Sequence, residues 1–257
     1  MRWSVCIREA RTGRVVYAVD AERRHPTASI GKLLLLIAAA RAFAGGELRR
    51  DEPLRRTADD AVRDSGLWQH LATDTLPAQD VALLIAAVSD NLATNVLLNT
   101  IGLAELDALA GGLGLAATRL LDKVRDERGP GDPEMLSSGS AAELSALMHG
   151  LCTGAVVSEA VSREVLAWLA VDVDLSMVAS AFALDPLAHF EVDRGVLLRH
   201  KTGTNRGVRA DVGVVESASA AFAYAALASW EPDVDDPRDA VLAAMRNVGS
   251  ALRDALA

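Results

Sequence analysis

Ser29-Ile30-Gly31-Lys32 runs directly into Leu33-Leu34-Leu35-Leu36-Ile37-Ala38-Ala39-Ala40, and this stretch decides how the chain is read. The apolar run is too short to cross a bilayer and predicts a buried helix that ends at Gly45-Gly46. A serine at the head of such a helix meets unpaired backbone N–H groups and the positive end of the helix dipole, both suited to a developing anion. Lys32, three residues on, shares a helix face with the Ser29 hydroxyl. A hydroxyl needs a positioned base to become a nucleophile, and a lysine buried beside other cations can lose its proton and act as that base. Taken alone, the tetrapeptide also reads as an ordinary N-cap serine followed by a solvated lysine.

Two further segments bear on that choice. Ser89-Asp90-Asn91 follows the apolar stretch Val81 to Val88 and precedes Leu92-Ala93-Thr94-Asn95-Val96-Leu97-Leu98. These three residues are good turn chemistry between helices, and such a turn would also expose a serine. Lys201-Thr202-Gly203-Thr204 comes after Gly195-Val196-Leu197-Leu198-Arg199-His200, which reads as a strand. Gly203 removes a side chain so that a ligand can lie against the strand edge. Lys201 brings positive charge toward the serines, and the hydroxyls of Thr202 and Thr204 can bind a carboxylate. In this order, S-x-x-K, S-D-N and K-T-G resemble the motif set of the class A β-lactamase family of penicillin-recognising serine enzymes. Ser89 to Leu98 also resembles that family's longer pattern S-D-N-x-A-x-N-x-L-L.

The resemblance implies an α/β chain of β-lactamase/transpeptidase-like fold, an antiparallel sheet flanked by helices plus an all-helical subdomain. It implies Ser29, Lys32, Ser89 and Lys201 as the catalytic set. Ser29 would be the nucleophile, and Ser89 would relay a proton to the leaving lactam nitrogen. Asn91 would bind the substrate's side-chain amide, and Thr202, Thr204 and Arg209 would complete the binding residues. The backbone N–H groups of Ser29 and Thr204 would form an oxyanion hole. Asp90 and Asn95 would be structural. Arg209 falls where many class A enzymes carry a second carboxylate-binding arginine; its plainer reading is a solvated hairpin residue. Trp68 stands where the family often places an aromatic gate, and a core tryptophan is the equal alternative.

One family element is broken. Class A enzymes hydrolyse their acyl-enzyme with a glutamate in a loop of pattern L-D-[RK]-x-E-P-x-L-N. The corresponding stretch here is Leu121-Asp122-Lys123-Val124-Arg125-Asp126-Glu127-Arg128-Gly129-Pro130-Gly131-Asp132. Arg125 takes the glutamate's place and Gly129 the asparagine's, and read back from Pro130-Gly131-Asp132 the loop is about three residues short. Asp126 or Glu127 could reach the acyl bond through a displaced backbone, or both are solvated loop charges. Acylation is therefore the firmer expectation, and slow deacylation follows from the loop.

The 257 residues suffice for one large domain or two intimate ones. The net charge of -9 is scattered, and no lysine or arginine block gives a nucleic-acid footprint. Cys6 and Cys152 look like small core residues rather than a pair. His25, His70, His149, His189 and His200 show no metal-ligand spacing, so neither metal nor cofactor is expected. Met1 to Ile7 begins in a strand pattern with no signal-peptide features, so a cytoplasmic protein is expected, or an exported one if the chain is a processed mature form; no membrane partner and a monomer are also expected. Strands are predicted at Val5–Ile7, Val15–Val19, Gly195–Thr202, Ala210–Glu216 and Ala220–Ser229. Helices are predicted at Ala78–Ser89, Asn91–Ile101, Leu103–Leu109, Ala141–Leu151, Ser158–Leu169 and Pro237–Leu256, with Gly111-Gly112-Leu113-Gly114-Leu115 as a breaker. Residues 1–46 with 190–257 would form the α/β part and 47–189 the helical part of one catalytic unit. The expected activity is acyl transfer from a β-lactam or related small acyl substrate to Ser29. Alternatives are an esterase, a D-alanyl-D-alanine peptidase-like enzyme, or a β-lactam-binding pseudoenzyme.

Overall fold

The computed structural model describes residues 1–234 and 236–257. β1 (Arg2–Glu9) and β2 (Val15–Val19) pair as the hairpin foreseen around Thr12-Gly13. The short β3 (His25–Pro26) and a 3-10 turn over Ala28–Gly31 lead into α1 (Lys32–Gly45). A two-stranded ribbon, β4 (Pro53–Arg55) with β5 (Thr75–Pro77), precedes α2 (Ala78–Val88), α3 (Asn91–Ile101) and α4 (Leu103–Gly112). Next come β6 (Arg119–Leu120), β7 (Ser137–Gly139), α5 (Ala141–Cys152) and α6 (Glu159–Leu169). The chain then returns to the sheet as β8 (Leu197–Asn205), β9 (Val208–Glu216) and β10 (Ala221–Ser229), and closes with α7 (Arg238–Leu256). The main sheet has the order β2-β1-β10-β9-β8, antiparallel throughout, with β8 at an edge. This is the expected antiparallel sheet flanked by helices, with a helical body beside it.

Side-chain alternation along the strands creates two cores. On β10, Ala223, Ala225 and Leu227 face the helical body, while Tyr224, Ala226 and Ala228 face α7. The alanines leave room for α5 to lie against β10, β1 and β9. On the far side α7 contributes Val241, Met245, Leu252 and Leu256. α1 is apolar all round because α2, α3, α4 and α6 surround it. Leu33 to Ala40 are each at most 1% exposed, and truncating one of these leucines to alanine typically costs about 2–5 kcal/mol.

Packing crosses the boundaries at residues 46 and 189. α1 is the axis of the helical body, and α5, from the middle of the chain, lies on the sheet. β8 continues through Lys201-Thr202-Gly203 to Asn205, beyond the end expected for it, because β9 pairs with it along its whole length. α4 runs through Gly111-Gly112, the first two residues of the expected breaker, and the chain turns within that breaker at Gly114 with φ +71°. Both cysteines are free thiols: Cys6 is in the core, and Cys152 is half-buried beside Glu216.

His25 is buried between two hydroxyls, with Nε2 2.9 Å from Ser4 Oγ and Nδ1 3.0 Å from Ser229 Oγ. Burial, then the charges of Arg23 and Arg2, lower its pKa from 6.5 to about 4. Between those values the unfolded chain takes up a proton that the folded chain refuses. The stability from keeping His25 neutral is therefore whole above pH 6.5 and lost as pH falls toward about 4, a loss of up to about 3 kcal/mol. Urea unfolding midpoints on either side of this window should show the drop, and His25→Gln should flatten it.

Candidate active site

Two residues in left-handed backbone conformation build the site. Ala28, with φ +48°, turns the chain immediately before Ser29, and Ser89, with φ +53°, ends α2. Non-glycine residues are held in this region only by surrounding structure. At Ala28 that support is Ser137, whose Oγ donates to the Ala28 carbonyl at 2.5 Å and lies 2.8 Å from Thr27 Oγ1. β8 presses against the same turn. A Cβ on Gly203 would stand 2.3 Å from the Thr27 carbonyl oxygen, so the K-T-G glycine permits the contact between the strand and the Ser29 turn. Ser29 sits in the 3-10 turn, and α1 proper begins at Lys32.

Lys32 is fully buried and joins the first two motifs. Its Nζ donates to the Ser89 carbonyl at 2.7 Å, to Ser89 Oγ at 3.2 Å and to Asn91 Oδ1 at 2.7 Å. Burial first, and then the charge of Lys201, push its pKa well below the ordinary lysine value. The left-handed turn at Ser89 presents both its carbonyl and its hydroxyl to this one amine. Ser29, Ser89, Asn91, Thr202 and Thr204 all line a cavity of about 440 Å³, and the buried side chains of Lys32 and Lys201 are not among its lining residues.

The third motif is held by a residue the sequence reading did not single out. Asp172 is almost fully buried in the loop after α6. Its Oδ2 is 3.5 Å from Lys201 Nζ and accepts from the Thr202 backbone N–H at 3.2 Å. Two residues on, Asp174 also lines the cavity. Burial raises its pKa, but the hydrogen bonds from Ser176 outweigh this and help hold it below the usual carboxylate value. No motif marks Asp172-Val173-Asp174. Only the approach of its loop to β8 and to the Ala87 carbonyl, which accepts from Val173 N at 3.0 Å, brings it here.

The remaining candidates divide. Asp90 caps α3 and accepts from Ala93, Leu67 and Trp68 N–H groups at 2.9, 2.7 and 2.8 Å, a purely structural set. Asn95 grips Val124 through both its N–H (2.8 Å) and its carbonyl (3.0 Å), fixing the start of the loop. The Asn91 amide is occupied by Lys32 and, at 3.3 Å, by the Arg63 carbonyl. Trp68 is fully buried, with Nε1 3.2 Å from the Thr73 carbonyl, and so is core rather than gate. Arg209 is not among the cavity-lining residues. Its guanidinium donates to the Asn205 and Val208 carbonyls at 2.9 and 2.7 Å and lies 5.9 Å from the Trp230 ring centre.

In the Leu121–Asp132 loop the charges pair internally. Arg125 donates to Asp122 at 2.7 and 3.2 Å and reaches Asp132 at 3.2 Å, and Arg128 also bonds Asp122. Asp126 lines the cavity, yet its oxygens accept from Arg63 N at 2.8 Å and Arg63 Nε at 3.2 Å. Glu127 is exposed and outside the cavity lining.

Comparison with known proteins identifies the fold and the family. The family model described as the β-lactamase enzyme family matches residues 1–256. The chain belongs to that family. A β-lactamase structure from Sphaerobacter thermophilus DSM 20745 is 24% identical, with a TM-score of 0.85 over 99% of this chain and 91% of that one. The structure of PBP-A is 22% identical, with a TM-score of 0.83 over 99% and 89%. An ancestral class A β-lactamase is 24% identical, with a TM-score of 0.81 over 99% and 94%. As a member of the β-lactamase family with a serine hydrolase fold, the protein departs from the family pattern where its cavity meets the loop. The carboxylates lining the cavity are Asp64, Asp126, Asp172 and Asp174, and no glutamate is among the described lining residues.

Proposed function

We propose that the protein is a serine acyl-transfer enzyme of β-lactamase type, acylated at Ser29 by β-lactams or related acyl compounds and slow to release the acyl group. The observation that carries this reading is Lys32: a buried amine of lowered pKa that binds Ser89 and Asn91 behind the wall where Ser29 lies. In the proposed reaction the Ser29 hydroxyl adds to the substrate carbonyl while neutral Lys32 takes its proton. The oxyanion is held by the Ser29 and Thr204 backbone N–H groups. Ser89 then delivers a proton to the departing nitrogen or oxygen as the acyl bond breaks, leaving an ester on Ser29. Lys201, 3.5 Å from Asp172, stands behind the Thr202 wall of the cavity. A mutant of PBP-A, a protein of the same fold, has been captured as an acyl-enzyme complex with penicillin G, which supports the covalent step.

Lys32→Ala and Ser89→Ala should fold and acylate more slowly by ~10²–10⁴-fold, the usual worth of a positioned proton-transfer group. Stopped-flow acylation of variants with native circular dichroism tests this, and rates equal to wild type would remove both roles. The amine is a base only when unprotonated, so the wild-type acylation rate should rise with pH. Its midpoint should lie well below the ordinary lysine range, and the rise should vanish in Lys32→Ala.

A further inference from the structure

Resting on that reading, we propose that Asp174 makes the Thr202 end of the cavity select acyl donors whose leaving group is neutral or cationic, and reject those carrying a carboxylate there. The motifs alone point to the opposite choice, because the hydroxyls of Thr202 and Thr204 and the guanidinium of Arg209 would cradle an anion. In the folded chain these groups are arranged differently. Arg209 Nη1 donates to the Asn205 and Val208 carbonyls, its guanidinium lies 5.9 Å from the Trp230 ring centre, and the residue does not line the cavity. Lys201 is matched by Asp172 at 3.5 Å.

Asp174 lines the same cavity as Thr202 and Thr204 and adds a further carboxylate to its wall. It lies on a fixed wall: its N–H donates to Asp172 Oδ1 at 3.1 Å, and its Oδ1 accepts from Ser176 N at 3.2 Å and Ser176 Oγ at 2.6 Å. These donors favour the charged form. His200, two residues along β8 from Thr202, is engaged by Asp211 at 3.2 Å. Across the cavity, the arginines are paired too, Arg125 and Arg128 with Asp122 and Arg63 with Asp126. A carboxylate entering at the Thr202 end therefore meets a like charge while each arginine among the described lining residues is already paired with an aspartate, whereas an ammonium gains an anionic partner. Two unit charges a few ångströms apart in a partly solvated cleft change binding by about tenfold or more.

The test uses three aryl esters of one acyl group whose phenol carries a remote carboxymethyl, carbamoylmethyl or trimethylammoniomethyl substituent. Each acylation rate on Ser29 is divided by that ester's spontaneous hydrolysis rate. In wild type the expected order is cationic, then neutral, then anionic, spanning about tenfold at low ionic strength and compressing in high salt. Asp174→Asn should collapse or invert the order and speed acylation by benzylpenicillin, while Asp174→Glu should keep the wild-type order. The ratios within each variant are independent of how much of it folds. A wild type that prefers the carboxylate ester, or an order unchanged in Asp174→Asn, overturns the inference and leaves the acyl-transfer reading intact. Failure of all three esters to label Ser29 overturns that reading, and this inference with it.

Discussion

Mixing the protein with a penicillin or a reactive aryl ester is expected to add one acyl group to the peptide that contains Ser29, and Ser29→Ala is expected to abolish the addition entirely. Intact mass followed by peptide mapping measures both. The effect should be all-or-none because the ester forms on the Ser29 oxygen itself, whereas Lys32 and Ser89 only move protons and their loss lowers a rate. Ser29 is half-buried on the cavity wall, in a short turn that Ala28 and Ser137 hold in place. Replacing its hydroxyl by hydrogen removes the nucleophile and leaves the Ser137–Ala28 bond and the Gly203 contact untouched. An adduct that persists in Ser29→Ala would transfer the role to another residue. A wild type that no acylating agent modifies would end the acyl-transfer reading.

The second large effect lies in the step after acylation. Deacylation needs a carboxylate that orients and deprotonates water at hydrogen-bond distance, a contribution of ~10²–10⁴-fold. At the family's glutamate position stands Arg125, which stays protonated and is locked to Asp122 and Asp132. Asp126 borders the cavity with its oxygens taken by Arg63, and Glu127 lies outside it. The expected result is a burst of about one equivalent of product followed by slow turnover, the burst marking an accumulating acyl-enzyme. Asp126→Asn and Glu127→Gln should leave the adduct lifetime unchanged. Rapid steady turnover that collapses in Asp126→Asn would show that this aspartate leaves Arg63 and serves as the base.

Much of the site is legible without a structure because its chemistry is written in short local patterns. Ser29 and Lys32 are three residues apart at the head of one apolar run, and Ser89 and Asn91 flank a helix-capping aspartate. Lys201, Thr202 and Thr204 follow a strand. Each pattern is set by the spacing within a single element, which periodicity and capping report directly. The broken loop was equally plain, since an arginine where a base belongs is a change of residue type. Asp172 and Asp174 escaped for the converse reason. They belong to an irregular loop, and their meaning comes only from the strand beside them.

The chain by itself determined the order of the main-sheet strands and the helices, the buried character of α1 and the residue types available for acyl transfer. Those follow from local preference and from the cost of leaving an apolar run in water. Folding decided the choices left open: Trp68 as core, Arg209 turned to its own strand end, Lys32 shared between Ser89 and Asn91, and an aspartate beside the K-T-G strand. Each of these depends on which distant groups meet in a low-dielectric interior. There, a charge must find its partner from whatever the packing brings within reach, however far apart the two lie along the chain.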